Sequence, residues 1–245
     1  MSTPLLQVAG LSKRFGGFVA LDEVDLAVER GERIGLIGPN GSGKSTLVNC
    51  ICGMLANESG SIRFDGHDIG ALATHERTRR GIARSFQLPR PFASLTVAEN
   101  LRVPLLYAVD ARAGSRLSGA AIDARCTELL DLVGLTGKAR AQPRDLTQVD
   151  MRKLELARAM AAEPQLLIAD ESMAGLSQLE VADIVALLIR LNTRGVTIIL
   201  IEHIMRAVMQ FSQRLVVLVS GAKIADGLPE AVIRDPQVER AYLGQ

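Results

Sequence analysis

The sequence predicts an α/β fold with a mostly parallel sheet, an N-terminal antiparallel β subdomain and an inserted α-helical subdomain. Short apolar runs alternate with helical patterns, as in sheets whose parallel strands are joined by crossover helices. The stretch from Leu5 to Val28 instead alternates apolar and polar residues around the turn-forming Phe15-Gly16-Gly17, which is typical of antiparallel strands. From Leu95 to about Leu135 the pattern becomes helical, with breaks at Gly114 and Gly119.

The remaining elements follow from the same two periodicities. Apolar runs predict strands at 33–38, 61–64, 81–86, 165–169, 196–201, 215–219 and 222–225. Helical periodicity predicts helices at 44–55, 148–162, 179–192, 204–211 and 229–234. Residues 1–245 are expected to form a single domain, with the helical subdomain inserted at about 88–162. The basic run at 77–80 is expected to lie on a solvated helix face.

Composition restricts the classes of function. Of the 245 residues 48% are hydrophobic and none is Trp, so a large core must be built from aliphatic side chains, as in a parallel sheet covered by helices. The net charge of +1 lacks the basic excess of nucleic-acid binders, and no nucleic-acid partner is expected. The three cysteines lack paired spacing, which indicates a reducing compartment. No apolar run approaches the roughly 20 residues that span a bilayer, so a soluble chain is expected.

A glycine-rich loop lies between the strand at 33–38 and the helix that begins at 44. Its sequence, Gly38-Pro39-Asn40-Gly41-Ser42-Gly43-Lys44-Ser45, matches the phosphate-binding pattern G-x-x-x-x-G-K-[ST] in its proper strand–loop–helix context. The glycines let backbone N–H groups face phosphates, and the positive end of the helix adds to that field. The predicted ATP-binding residues of this loop are Gly38, Asn40, Gly41, Ser42, Gly43, Lys44, Ser45 and Thr46.

Within that loop, Lys44 is predicted to reach the terminal phosphates and Ser45 to ligate Mg²⁺. Two acids, Asp170 and Glu171, directly follow the apolar run 166–169. We predict that Asp170 holds Mg²⁺ and that Glu171 orients or deprotonates the water that attacks the γ-phosphate. Two acids after a strand also suit a helix N-terminus. The phosphate loop upstream favours the catalytic interpretation, a P-loop NTPase core that hydrolyses a nucleoside triphosphate.

Further motifs resemble those of the ATPase subunits of ABC transporters, over nearly the whole chain. Gln87, in Arg84-Ser85-Phe86-Gln87, resembles the Q-loop glutamine, which contacts magnesium and water. His203, in Leu200-Ile201-Glu202-His203, resembles the H-loop histidine, which contacts the γ-phosphate. The resemblance implies an ABC ATPase fold, ATP and Mg²⁺ as cofactors, Gln87 as a further metal ligand, and catalytic roles for Glu171, His203 and Gln87.

Two more segments carry this resemblance. Leu146-Thr147-Gln148-Val149-Asp150 and the helical pattern after it resemble the LSGGQ signature and its helix, so Thr147 and Val149 would contact nucleotide bound by a second cassette. The spacing of Thr147 and Asp150 is that of a capping box, which predicts that the helix starts at Thr147. Phe15 lies upstream of the phosphate loop, where the family places an aromatic residue that stacks on adenine. Val149 departs from the signature, since it replaces the glycine expected to lie closest to phosphate.

Within the family, the chain resembles the cassettes of branched-chain amino-acid importers. The likeness rests on Arg14-Phe15-Gly16-Gly17, on Leu95-Thr96-Val97-Ala98-Glu99-Asn100-Leu101, on Ile201-Glu202-His203 and on the ending at 235–244. It implies uptake of branched-chain amino acids, urea, short amides or aromatic acids. The implied complex has two related cassettes, two transmembrane permease subunits and an extracytoplasmic solute-binding protein. The cassette would lie peripherally on the cytoplasmic face of the inner membrane.

Two other functions stay open at this point. Val149 favours a weakly catalytic regulatory cassette that binds ATP while its partner turns over, whereas the intact Lys44, Asp170, Glu171 and His203 oppose that interpretation. A soluble ABC ATPase of DNA repair or translation would have paired cassettes or a long coiled-coil insertion, and the sequence has neither. The transported solute, and whether the second cassette is a paralogue or a second copy of this chain, are not determined by these residues.

Overall fold

The computed structural model describes residues 3–109 and 117–243. Its strands are β1 (Leu6–Phe15), β2 (Phe18–Val28), β3 (Arg33–Ile37), β4 (Ser59–Phe64), β5 (His67–Asp68), β6 (Ile82–Ser85), β7 (Leu166–Asp170), β8 (Thr197–Ile201), β9 (Arg214–Val219) and β10 (Ala222–Gly227). Its helices are α1 (Lys44–Ile51), α2 (Thr74–Arg79), α3 (Val97–Pro104), α4 (Gly119–Val133), α5 (Gln148–Met160), α6 (Gln178–Thr193), α7 (Met205–Phe211), α8 (Pro229–Val232) and α9 (Pro236–Leu243). The predicted helix break at Gly114 lies outside the described residues.

The strands form two sheets of different character. The four-stranded sheet has the order β2-β1-β4-β5 and antiparallel pairing, and its first hairpin closes where Phe15 pairs with Phe18. The six-stranded sheet has the order β10-β9-β3-β8-β7-β6. Every neighbouring pair in it is parallel except β9 with β10. The predicted fold class, an antiparallel subdomain beside a mostly parallel sheet, is confirmed.

The parallel strands place four predicted motifs at their carboxyl ends, on one side of the six-stranded sheet. The phosphate loop follows β3, Gln87 follows β6, Glu171 follows β7 and His203 follows β8. In an open parallel sheet the carboxyl ends of the strands lie on the same side, and ligands bind in the crevice outside them. The sheet order therefore gathers residues that lie far apart in the sequence.

Apolar side chains cover both faces of this sheet. Along β7 alternate residues enter different clusters, because successive side chains point to opposite faces. Leu166 and Ile168 pack in the cluster shared with α1 and the antiparallel sheet, whereas Leu167 and Ala169 pack in the cluster shared with α3 to α7. All five residues of β7 are buried. The strand is therefore held rigidly from both sides up to Asp170.

The structure corrects two local expectations. Helix α1 ends at Ile51 rather than Leu55, because Gly53 adopts a left-handed φ of 75° and donates its N–H to the carbonyl of Cys50. Arg77, expected on a solvated face, is 3% exposed. Its guanidinium donates to the carbonyls of Cys50 and Ile51, at 2.6 and 2.9 Å. The last carbonyls of a helix lack intrahelical partners, and the buried arginine supplies donors for them.

The stretch between β6 and β7 contains α3, α4 and α5, together with a π-helical turn at Leu105–Val109. The division into a single domain with a helical subdomain inserted at about 88–162 stays a prediction. Over the described ranges, no helix combines the length and apolarity needed to cross a lipid bilayer.

Candidate functional site

The phosphate loop joins β3 to α1 through backbone angles that suit glycine. Gly38, Gly41 and Gly43 have φ values of 152°, 77° and 103°. A Cβ on Gly38 would lie 2.1 Å from the carbonyl oxygen of Leu218, and a Cβ on Gly43 would lie 2.6 Å from that of Ala20. Neither carbonyl can move aside easily, because Leu218 belongs to β9 and Ala20 to β2. Glycine is therefore required at both positions for the loop to fold.

Lys44 is held over this loop. Its ammonium donates to the carbonyl oxygens of Gly38 and Pro39, at 2.7 and 2.9 Å. Burial lowers the pKa of Lys44, and the nearby carboxylates of Glu171 and Asp170 oppose that shift. The only lysine of the loop thus lies between the phosphate-loop carbonyls and the acidic strand end.

The other predicted residues of the loop differ in exposure. Ser42 is buried, and its hydroxyl lies 3.3 Å from the Lys44 ammonium. Asn40, Gly41 and Ser45 are exposed and Thr46 is half-buried. The first turn of α1 has no acidic residue, so nothing in that turn counters the positive helix end.

Gln87 and Glu171 meet at the acidic strand end. Glu171 has a left-handed φ of 44°, which is uncommon for a residue with a Cβ and is held by its N–H bond to the carbonyl of Ile201, at 2.9 Å. The Gln87 side-chain amide donates to a carboxylate oxygen of Glu171. Two residues predicted to act on the attacking water are therefore in contact.

One cleft contains most of the residues predicted to act on Mg²⁺ and water. It has a volume of about 290 Å³, and its polar lining consists of Ser45, Asn49, Arg84, Gln87, Arg90, Asp170 and Glu171. Carboxylate, hydroxyl and amide oxygens are the hard ligands that Mg²⁺ prefers, with one or two carboxylates and substrate phosphates completing its shell. No group of three or more His, Cys, Asp or Glu side chains in the described residues could hold a metal alone. The donor set therefore fits Mg²⁺ carried by a nucleotide.

His203 follows β8 and is exposed, with 67% of its side chain accessible. Its Nδ1 lies 3.9 Å from Glu202, whose side chain is fully buried and accepts the Met173 N–H at 2.8 Å. Burial raises the pKa of Glu202, and the bond from Met173 opposes the shift. Glu202 thus ties the backbone that follows Glu171 to the end of β8.

The signature helix α5 begins as predicted. Thr147 is its N-cap, and its hydroxyl donates to the Asp150 carboxylate at 2.6 Å while accepting the Asp150 N–H. Thr147 and Val149 do not line the cleft of Asp170 and Glu171. Val149 is half-buried and packs against the core of its own chain. Their contact with nucleotide held by a second cassette, which the resemblance implies, stays a prediction.

Phe15 ends β1 with 48% of its surface exposed. The Lys13 ammonium lies 5.5 Å from the centre of its ring. The exposed ring has a face available for stacking, and its role toward adenine stays a prediction.

Sequence reasoning missed two arginines that join the motifs, Arg84, which is half-buried, and Arg152, which is buried. Arg84, at the end of β6, pairs with Asp170 at 2.5 Å. Arg152, on α5, donates to the carbonyl of Gln87 and, at 3.2 Å, to that of Ala174. The sequence did offer a sign of the role of Arg84, which is a cation inside a largely apolar strand. It offered no such sign for Arg152, because a charged residue on a helix is usually solvated.

Fold and cleft together define a P-loop ATPase, and sequence comparison specifies which. Residues 21–174 match the ABC transporter family. The chain belongs to that family, as one of its ATP-binding cassettes.

The relatives in this family are similar over their full length. The chain is 39% identical to the high-affinity branched-chain amino acid transport ATP-binding protein BraF of Pseudomonas aeruginosa, over 100% of both proteins. It is 38% identical to LivG, of the same description, from Escherichia coli K12, again over 100% of both. The predicted resemblance to this subfamily is confirmed.

Solved structures agree with that assignment. The ADP conformation of MJ1267, an ATP-binding cassette of an ABC transporter, shares 30% identity with a TM-score of 0.88, over 100% of both chains. A dimeric post-hydrolysis state of the cassette MJ0796, bound to ADP and Pi, shares 26% identity with a TM-score of 0.80. It covers 91% of this chain and 98% of that one.

Proposed function

We propose that the chain hydrolyses ATP to energise an importer of branched-chain amino acids or a related small solute such as urea, an amide or an aromatic acid. The observation that carries the proposal is the full-length identity of 39% to a branched-chain amino acid transport ATP-binding protein, joined to a cleft lined by Ser45, Gln87, Asp170 and Glu171. Because an ATP-binding subunit does not itself contact the solute, the geometry leaves the choice among these solutes to the transporter's other subunits.

In the proposed mechanism, Lys44 and the loop N–H groups bind the β- and γ-phosphates of ATP. Ser45, Asp170 and Gln87 would hold Mg²⁺, which neutralises charge on the phosphates when bound. Glu171, fixed by the amide of Gln87, accepts the proton of the attacking water. His203, exposed just after β8, the strand that pairs with β7, would contact the γ-phosphate.

The second cassette completes each site. Thr147 and Val149 lie away from this chain's own cleft, so we infer that they act on nucleotide bound by a partner cassette. Helix α5, which Thr147 caps and which contains Val149 in its first turn, would present its N-terminal N–H groups and its positive dipole to that phosphate. The dimeric structure of the cassette MJ0796 supports such an assembly.

An apolar groove beside the Q-loop is the proposed contact with the permease. It has a volume of about 400 Å³ and lies between β6, α3 and α5. Large apolar side chains at and around it are unusually exposed, with Tyr107 at 71%, Leu88 at 68% and Met54 at 51%. Contiguous exposed apolar surface marks an interaction site. We infer that a segment of the membrane subunit fills this groove, which would place the chain on the cytoplasmic face of the membrane.

The test is reconstitution. The chain, reconstituted in proteoliposomes with the membrane subunits and a partner cassette, should drive leucine uptake when ATP is enclosed in the lumen and the solute-binding protein is supplied outside. Uptake of urea, a short amide or an aromatic acid instead of leucine would change the assigned solute and leave the assignment as a transport ATPase unchanged. ATP-independent uptake, or a complex that forms without this chain, would refute the proposal.

A matched pair of variants tests the groove. Tyr107→Ser should reduce copurification with the membrane subunits, since it removes an exposed ring from the groove. Leu228→Ser, equally exposed at 68% but on the far side near α8, should not. Equal effects of the two substitutions would place the permease contact elsewhere.

A further inference from the structure

Arg84 is a cation between two elements of the proposed magnesium site. Only 11% of its side chain is exposed, and 10% of that of Asp170, its ion-pair partner. One terminal nitrogen donates to Asp170 Oδ2 at 2.5 Å, and the other donates to Asn49 Oδ1 at 2.6 Å. The planar fork of an arginine can hold two acceptors in fixed directions, which a lysine cannot.

The two partners belong to the elements that carry the proposed Mg²⁺ ligands. Asp170 is itself one such ligand, at the end of β7. Asn49 lies on α1 four residues after Ser45, so the two side chains share a helix face. The guanidinium therefore spans the gap between the strand that carries the carboxylate and the helix that carries the hydroxyl.

The contact leaves the metal-binding capacity of Asp170 intact. A carboxylate has two oxygens with several lone-pair sites, and Arg84 engages Oδ2. Oδ1 stays available to Mg²⁺ or to a water in its shell. Hydrogen bonds from outer residues commonly orient carboxylate ligands in this way.

We propose that Arg84 is a positioning residue of the magnesium site. By bridging Asp170 and Asn49, it fixes the orientation of the carboxylate and its distance from Ser45. The inference rests on the proposed function, in which Asp170 and Ser45 hold Mg²⁺. Phe86 and Met54 pack beside the guanidinium, which lies 5.1 Å from the ring centre and 3.5 Å from the sulfur.

The direction in which removal of Arg84 changes the metal affinity distinguishes this positioning role from simple charge repulsion of the cation. If Arg84 only repelled the cation, its removal would tighten metal binding. If it positions the ligands, its removal weakens binding, and loss of such an outer partner typically costs about 10- to 100-fold in metal affinity.

The experiment measures Mn²⁺, as a paramagnetic substitute for Mg²⁺, by EPR on protein in excess over ATP in a Glu171→Gln background that prevents turnover. Arg84→Gln should weaken Mn²⁺ binding about 10- to 100-fold. Its affinity for a fluorescent ATP analogue in EDTA should stay near the wild-type value, which reports that the phosphate loop is folded. The Mn²⁺ affinity of Arg84→Lys should fall between those of Arg84→Gln and the parent, because an ammonium keeps the charge but lacks the planar fork that holds two acceptors in fixed directions.

The control is Arg214→Gln, which removes a similarly ion-paired arginine from the opposite edge of the sheet, where it bonds Glu32 and Asp226. It should leave Mn²⁺ affinity unchanged. Unchanged or tighter Mn²⁺ binding in Arg84→Gln overturns the proposal. Full retention in Arg84→Lys assigns the effect to charge alone and overturns the bridge. Failure of the parent Glu171→Gln protein to bind Mn²⁺ with ATP would refute the proposed metal site itself.

Discussion

The Q-loop depends on one buried amide for its position. Asn100, on α3, is fully buried, and its Oδ1 accepts the Phe92 N–H at 2.8 Å. Its side-chain N–H groups donate to the carbonyls of Phe92, Leu95 and Thr96, at 3.2, 3.2 and 2.9 Å. The segment that follows Gln87 is thereby tied to the start of α3. We predict that Asn100→Ala loosens this segment and displaces Gln87 from Glu171.

The expected loss of stability follows from the hydrogen bonds that Asn100→Ala removes. Four hydrogen bonds at a net value of about 1 kcal/mol each set an upper limit of about 4 kcal/mol. Because the Thr96 carbonyl keeps its helical bond from the Asn100 N–H and one water can replace part of the amide, we expect a loss of about 2–3 kcal/mol in the free energy of unfolding. The same displacement should lower kcat more than nucleotide affinity, since the phosphate loop is unaffected.

Urea unfolding followed by circular dichroism measures the free energy of unfolding. Steady-state ATPase activity of the assembled transporter measures kcat. Arg102→Ala is the control on the same helix, since its ion pair with Asp123 is exposed and such pairs contribute about 0–1 kcal/mol. A loss below about 1 kcal/mol in Asn100→Ala, or a variant with wild-type kcat, would refute the anchoring argument.

Three other substitutions test separate parts of the site. Lys44→Ala should abolish hydrolysis and weaken ATP binding by at least about tenfold, since it removes the fixed charge over the phosphate loop; wild-type turnover would contradict the assignment. Val149→Gly should raise turnover at the partner's site while lowering thermal stability, because the side chain packs on its own core; dimers in which this chain also carries Glu171→Gln isolate that rate, and an unchanged or lower rate would refute the steric argument. Because burial raises the pKa of Glu202, its charge costs stability as the pH rises above the ordinary value of 4.5. Glu202→Gln should therefore gain stability relative to wild type across that range, and parallel stability–pH curves would show that the carboxylate is not perturbed.

Most of the fold was predictable because its signals are local. The alternating pattern of β1 and β2, the apolar runs of β3, β7 and β8, and the phosphate loop each occupy contiguous sequence. The start of α5 followed from the Thr147–Asp150 spacing alone. Helix α1 ended early because Gly53 adopts a left-handed backbone, and Gly within a helical pattern does not by itself specify that angle.

The parts that sequence missed are long-range contacts made by polar side chains. Arg77, Arg84 and Arg152 are charged residues whose environment is set by carbonyls and a carboxylate from elsewhere in the chain. Solvation is the usual state of an arginine, so periodicity predicts exposure. Only the tertiary arrangement shows that Arg84 reaches Asp170, 86 residues away.

The most direct test of the account is turnover by Glu171→Gln in the assembled transporter. The amide keeps the shape of the carboxylate and its contact with Gln87, but it cannot accept the proton of the attacking water. In the transporter we predict retained ATP binding and a drop in hydrolysis of at least about tenfold per altered site, equivalent to about 1.4 kcal/mol of barrier. For the isolated variant we predict an ATP-bound cassette dimer on size exclusion. A variant that hydrolyses ATP within tenfold of the wild-type rate would contradict the central claim that Glu171 is the main catalytic carboxylate.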